Sequence, residues 1–268
     1  MDVQGLKATL FSNGIARGIE MPVISIITVV YNAIDHIEKC INSVLEQTYK
    51  NIEYIIIDGG STDGTLAIIQ NYADKIKYTV SEPDNGISDA FNKGISLASG
   101  DLIGLLNADD YYNPDTVELV VNKYLEMERP LKTIFHGNIN VIYPKRTVVY
   151  KPGNLSRFKF ELPIWHPTMF ATKDIYVDYS YNVDYKIAMD YELLSRAYSN
   201  NCRFVYLPYV INNMFGGGIS NKAAIAGFRE VTKASKRNLK VNALTAGFFL
   251  AYRTILYRLM MIKRTLFK

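Results

Sequence analysis

An α/β fold with a mostly parallel, doubly wound sheet and helices on both faces is predicted by three features of the sequence. Apolar, β-branched runs alternate with amphipathic helical segments. Each run stops abruptly on polar or acidic residues. A chain of 268 residues with 49% hydrophobic content is long enough to bury one large core.

The first run, "VISIITVV" (Val23 to Val30), is continuously apolar, as a strand buried on both faces must be. It ends at Tyr31-Asn32. Ile37, Ile41, Val44 and Leu45 then share one helical face, which returns the chain to "IEYIIID", a second strand ending at Asp58. "GGSTDGT" follows as a tight turn, with a helix from about Asp63 that turns Leu66, Ile69 and Tyr72 inward. A weaker strand, "KIKYTV", ends in Ser81-Glu82-Pro83-Asp84-Asn85-Gly86. A helix from about Ile87 to Ala98 then leads to "DLIGLL", which stops on Asn107, Asp109 and Asp110.

Two adjacent acids at the end of a buried strand repel each other and lose hydration, so the pattern predicts a cation nearby. The competing reading is a solvated turn into a helix capped at Asn113 with Pro114 in its first position. In a parallel sheet, the carboxyl ends of the strands lie along one edge and ligands bind in the crevice there. That geometry gathers Tyr31, Asn32, Asp58, Asp84 and the Asn107–Asp110 group. The ligand suited to such an edge is a nucleoside diphosphate whose charge is offset by Mg2+ or Mn2+. A G-x-G-x-x-G fingerprint and a Walker A sequence are both absent, which disfavours a dehydrogenase and an ordinary ATPase.

"SIITVVYN", "IIIDGGSTDGT", "DNGISDAFNKGISLASGD" and "LLNADD", in this order, resemble the family 2 glycosyltransferases with the GT-A fold, of the bacterial polysaccharide-biosynthesis type. The resemblance runs from Val23 to about Ser220. It implies an inverting, metal-dependent transferase acting on a nucleotide-sugar. By analogy, Thr28, Tyr31, Asn32 and Asp58 line the nucleoside pocket, and Asp84, Asn92 and Lys93 face the nucleotide-sugar. The family's D-x-D motif begins here with Asn107, so Asp109 becomes the metal ligand and Asp110 a sugar or supporting contact. "IWHPTMF" and "YKIAMDYELLSRA" are similar to the family's acceptor side. They imply Asp190 as the catalytic base, with Met189 where a Glu often stands, and His166 beside the acceptor.

Physically, the acceptor hydroxyl must lose its proton as it attacks, and a partly desolvated carboxylate at a helix start suits that task. The structural alternative makes Asp190 a helix N-terminal charge favoured by the dipole, with Glu192 a solvated neighbour. His36 and His136 read as structural. "MFGGGIS" (Met214 to Ser220) offers either a phosphate-closing flap or a plain linker. Of the 20 tyrosines, Tyr111, Tyr112, Tyr179, Tyr181 and Tyr185 suit stacking on sugar rings, although most tyrosines pack.

Charge divides the chain. Residues 221–268 hold 11 Lys and Arg against one acid, Glu230, whereas the remainder carries a net charge of −6. Within the tail, Leu244, Phe248, Ala251, Ile255, Leu259, Ile262 and Leu266 form an amphipathic stripe, with Arg253, Arg258, Arg264, Lys263 and Lys268 opposite or beside it. This pattern suits lying on an anionic membrane, and no RNA-binding signature supports nucleic acid. No run is long enough to span a bilayer, and residues 1–20 do not read as a signal peptide. Cys40 and Cys202 have neither metal nor redox spacing. The expected organisation is an N-terminal extension (1–20), a donor half (21–112), an acceptor half (113–220) and a basic helical tail (221–268), in a cytoplasmic protein peripheral on the inner face of the membrane. The rival readings are a catalytically silent nucleotide-sugar-binding or scaffold protein of the same fold and a nucleotidyltransferase.

Overall fold

The computed structural model describes residues 20–216 and 223–266. The N-terminal extension up to residue 19, most of the glycine-rich segment after Gly216, and the last two residues lie outside the described residues.

Residues 20 to 107 build as their pattern requires. Strand β1 (Ile24–Val30) is central, with β2 (Ile52–Asp58) and β4 (Leu102–Asn107) parallel on either side, and β3 (Tyr78–Ser81) parallel beyond β2. Helices α1 (Ile37–Leu45), α2 (Thr65–Gln70) and α3 (Ile87–Leu97) are the crossovers. Every residue of β1 is buried, in keeping with its lack of polar alternation.

Two apolar layers flank this sheet. On one face, Ile27, Val29, Ile55, Ile57, Ile103 and Leu105 meet Phe91 of α3. On the other, Ile26, Val30, Ile56 and Leu106 lie under Ile37, Ile41 and Val44 of α1. Fully burying such side chains contributes about 1.5–3 kcal/mol each.

Beyond β4 the sheet becomes mixed, where the sequence suggests a mostly parallel one. The order is β3-β2-β1-β4, then β8 (Phe170–Thr172), β6 (Thr133–Tyr143), β9 (Arg203–Phe215) and β5 (Asp110–Tyr112), with β7 (Arg146–Tyr150) paired to β6. β8 runs antiparallel to both β4 and β6, whereas β9 is parallel to β6. The residues after Asn107 do not form the solvated turn of the competing reading. They make β5 (Asp110–Tyr112), antiparallel to β9, and the next helix, α4, starts at Thr116–Glu126 rather than at Pro114. The pairing partner lies about a hundred residues away, so local pattern gives no sign of it.

Two helices, α5 (Lys173–Asp178) and α6 (Met189–Ser199), follow in the second half of the sheet's sequence. In the tail, α7 (Ala224–Asn238) packs on α6, and α8 (Ala243–Leu266) packs on α7. α8 docks through Phe249, stacked 3.7 Å from Phe160, and through Arg253, which donates to Phe160 O and Glu161, each at 2.8 Å. Leu244, Phe248, Ile255, Leu259 and Ile262 of the stripe are exposed. Among the described residues, no helix is long and apolar enough to cross a membrane.

Candidate active site

The parallel strands end in register at one rim. Val30 stands opposite Asp58, Asp58 opposite Ser81, and Val29 opposite Asn107. Alternation along the strands then puts Asp58 on the α1 face and Asn107 on the α3 face, with β1 between them.

The rim loops are tied together by side chains. Asn32, in the left-handed region at φ 49°, donates its N–H to Ser61 Oγ (2.8 Å), and its Oδ1 accepts from the Thr62 N–H (2.9 Å). Asp58 is fully buried and accepts from the Ser61 N–H and from Ser81 Oγ (2.6 Å), so it organises the Gly59–Thr62 loop from beneath. Thr28 is also fully buried, its hydroxyl 3.0 Å from Tyr54 Oη, and faces the core under α1 rather than the rim. Tyr31 is exposed. A Cβ on Gly59 would fall 2.5 Å from Asp84 Oδ2 and 3.5 Å from the Tyr31 ring, so only glycine lets Asp84 and Tyr31 close over this loop. Asp84 Oδ1 in turn accepts from the Gly86 N–H (2.7 Å).

Asn92 and Lys93 on α3 play different parts. Both ends of the Asn92 amide are engaged by the Tyr181 backbone, each at 2.9 Å. Lys93 Nζ lies 2.8 Å from Glu82 and 3.6 Å from Asp89, and the Glu82 hydrogen bond raises its pKa.

Asp110 is buried beside the partly exposed Asp109. Neither of its carboxylate oxygens has a hydrogen bond of full geometry. Burial pushes its pKa well above the usual carboxylate range, the Asp109 charge adds to that, and the nearby Asn107 and Asn212 amides oppose it. An orphaned, desolvated carboxylate next to a second acid fits a divalent cation. Among the described residues, no group of three or more His, Cys, Asp or Glu could hold a metal alone. The donor set therefore suits an ion completed by diphosphate oxygens and water.

Asp190 lies in the first turn of α6 with its side chain 18% exposed. Its Oδ2 is 3.7 Å from His166 Nδ1, and its Oδ1 has no partner. Burial raises its pKa, while the His166 charge and the Tyr181 hydroxyl act against that shift. His166, in a buried 3₁₀ turn at His166–Thr168, sets its ring against Phe91 at 5.2 Å and leaves Nε2 unpartnered. Met189 is buried, its sulfur 3.0 Å from Ser88 Oγ. Glu192 is not the solvated neighbour of the structural reading. It is buried and paired with Arg196 at 2.8 Å, one turn further along α6. Of the other two histidines, His136 is buried, which lowers its pKa to about 4, and His36 packs 5.4 Å from Phe215.

Sequence reasoning missed Asn212, which joins the two acidic centres. It lies beside Asp110, and its Nδ2 donates to the Pro167 carbonyl (2.9 Å) in the turn that carries His166. The local signal is the polar pair Asn212-Asn213 between the apolar Ile211 and Met214 of β9. Tyr181, one of the tyrosines whose rings suit sugar stacking, packs in the core instead. Its ring stacks on Phe91 at 5.5 Å and its buried hydroxyl faces Asp190.

Comparison with known proteins gives a consistent result. The family model described as glycosyl transferase family 2 matches residues 25–180. A chondroitin synthase of Pasteurella multocida is 32% identical over 180 residues, covering 65% of this chain but only 18% of that protein's length. An uncharacterized glycosyltransferase of Mycobacterium tuberculosis is 34% identical, covering 66% of this chain and 69% of that protein. Among solved structures, Staphylococcus aureus TarS 1-349 in complex with UDP-GlcNAc superposes with a TM-score of 0.64 at 18% identity, covering 86% and 71% of the two chains. The mannosyltransferase PcManGT of Pyrobaculum calidifontis, with GDP-Man and Mn2+, gives 0.62 at 17%, covering 86% and 70%. At these identities the structural likeness establishes the fold.

Proposed function

Because the chain belongs to glycosyl transferase family 2, we propose that it moves a sugar from a nucleotide-sugar donor to a glycan or lipid-linked glycan acceptor, with inversion, in cell-surface polysaccharide synthesis. The observation that carries this reading is Asp190, a desolvated carboxylate at a helix start with one oxygen free of any partner. Support for the polysaccharide context comes from the names of relatives, a chondroitin synthase and a hyaluronan synthase, although the chain spans 18% of each.

In this mechanism the acceptor hydroxyl attacks the anomeric carbon while the bond from that carbon to the diphosphate oxygen breaks. The hydroxyl proton passes to Asp190 Oδ1, and the nucleoside diphosphate leaves with the bonding electron pair. A raised pKa makes Asp190 a better proton acceptor than an ordinary aspartate, and His166 at 3.7 Å orients its other oxygen. On the donor side, Tyr31 and Asp84 present the surface for the nucleotide, with Asn32 and Asp58 holding the loop in place and Thr28 supporting β1 below. Asn92 and Lys93 hold the α3 side of the site.

Mg2+ or Mn2+ would be held by Asp109, with Asp110 and Asn107 adjacent, and supplies positive charge against the departing diphosphate. The stripe of α8 and the basic residues Arg258 and Lys263 would rest on an anionic membrane, each cation contributing about 1 kcal/mol. Arg253 is committed to Glu161 and takes no part in that contact.

The test is turnover of UDP-, GDP- and dTDP-sugars with Mn2+, followed by Asp190→Asn. Loss of transfer with nucleotide binding retained is expected. Retained transfer would remove Asp190 as the base, and binding of no nucleotide-sugar at all would remove the whole reading.

A further inference from the structure

We propose that Glu230, the one acid of the basic tail, is a positioning residue for Asp190, so that α7 belongs to the catalytic unit as well as to the tail. This rests on the reading of Asp190 as the base.

Asp190 stands just past a loop whose last three backbone donors are satisfied from outside the loop. α6 begins after Ala188 with no side-chain cap from its own sequence. Glu230 supplies the missing acceptors from another helix. Its Oε1 accepts from the Lys186 N–H (3.0 Å), and its Oε2 accepts from Ile187 (2.9 Å) and Ala188 (2.7 Å). Three consecutive donors, ending two residues before the base, are held by one carboxylate. Charge-assisted hydrogen bonds of this kind are roughly twice as strong as neutral ones.

The packing of α7 is consistent with that task. One turn before Glu230, a Cβ on Gly227 would come within 3.0 Å of Ile187 Cγ2, so glycine lets α7 approach the loop closely enough for the carboxylate to reach. At the far end of α7, Asn238 Nδ2 donates to Ser195 Oγ (2.8 Å) and lies 3.3 Å from Glu192 O. α7 therefore grips α6 near both ends.

The opposite side of the same loop is stapled to the donor half. Lys186 Nζ donates to Asn85 O (2.9 Å), next to Asp84, and Asn92 binds the Tyr181 backbone. Glu230 closes the third side of this frame. With the loop fixed, Asp190 is presented to the titratable groups packed around it, which are His166 from the 3₁₀ turn, Tyr176 from α5 and Tyr181 from the loop. A freed loop would let water reach Asp190 and move its carboxyl out of line, and small misplacements cost up to about 100-fold in rate.

The test uses the full chain and the near-isosteric Glu230→Gln, whose amide accepts on one side only. Titration of Asp190 followed by its carboxyl 13C resonance should show it above the ordinary aspartate range in the wild type and moved toward that range in the variant. With a donor that the wild type turns over, kcat should fall about 10- to 100-fold while the donor KM stays within about twofold. Identical Asp190 titration with unchanged kcat would overturn the proposal. Should the variant fail to fold, hydrogen exchange on the wild type decides the matter, because Lys186, Ile187 and Ala188 amides exchanging as fast as exposed loop amides would overturn it too. Transfer that survives Asp190→Asn would sink the base assignment itself. Transfer lost in Asp190→Asn but untouched in Glu230→Gln would sink only the role of Glu230.

Discussion

The two edges of the central sheet treat buried carboxylates in opposite ways. At the amino-terminal edge, Glu53 is buried with every oxygen occupied. It pairs with Lys77 and accepts from Ser25 Oγ (2.5 Å), the Ser99 N–H (2.7 Å) and Ser99 Oγ (2.9 Å). Burial opposes ionisation there, but these partners prevail and lower its pKa to about 2. At the carboxyl-terminal side, Asp110 is buried with both oxygens unpartnered and Asp190 keeps one oxygen, Oδ1, unpartnered, and burial raises both pKa values. A carboxylate that is completed internally holds a fold together. One left incomplete costs stability and is kept for something that arrives later.

The largest expected effect tests the incomplete side. Asp190→Asn should lower the rate of transfer by about 100- to 10,000-fold, while nucleotide affinity, measured by calorimetry, stays within about threefold. In the wild type, the acidic limb of the kcat profile should lie above the pH at which an ordinary aspartate titrates, because the base must be ionised and its pKa is raised. A limb at ordinary aspartate pH would erase the contrast with Glu53.

The next effect tests the complete side. Glu53→Gln should destabilise the fold by about 2 kcal/mol in urea denaturation, mainly through the serine donors it leaves unmatched, since Lys77 is half exposed and adds little. A depressed native pKa means that this contribution is present above the unfolded value, near 4.5, and is lost as pH falls toward 2. The gap between wild type and variant should close over that interval. A gap that persists at pH 2 would show that shape, and not charge, is what Glu53 supplies.

How much of this contrast the sequence reveals depends on whether the cause is local. The parallel strands, their crossovers and the acidic rim are legible because each is written in a continuous run such as "VISIITVV" or "IIIDGG". The second half is less so, because β5 and β8 are three residues long and exist through distant partners. The same holds for individual residues. Asp190 is visible as an acid opening a helix, but Glu230 reads as a lone acid in a basic tail, and Asn212 as one polar residue in a strand. Their meaning lies in contacts across 42 and 45 positions of chain, to Ala188 and Pro167. Thr28 illustrates the reverse case, a residue that its motif assigns to the nucleoside pocket and the structure places against Tyr54 in the core.

The smallest effect is the sharpest in sign. Asp110→Asn should stabilise the ligand-free protein at neutral pH, by about 1–2 kcal/mol, because an amide in that position is neutral without having to take up a proton. For an acid whose native pKa is raised, the folded state holds its proton while the unfolded state loses it. Stability of the wild type therefore falls as pH rises past about 3.8 and through the raised native value. The advantage of the variant should be absent near pH 3 and grow as pH rises. Adding Mn2+ with a nucleoside diphosphate should reverse the order, raising the melting temperature of the wild type more than that of Asp110→Asn, since a ligand that binds only the native state stabilises in proportion to its affinity. If Asp110→Asn is instead destabilising without ligand, Asp110 belongs with Glu53 among the completed carboxylates, and the rim loses its most exposed claim to a cation.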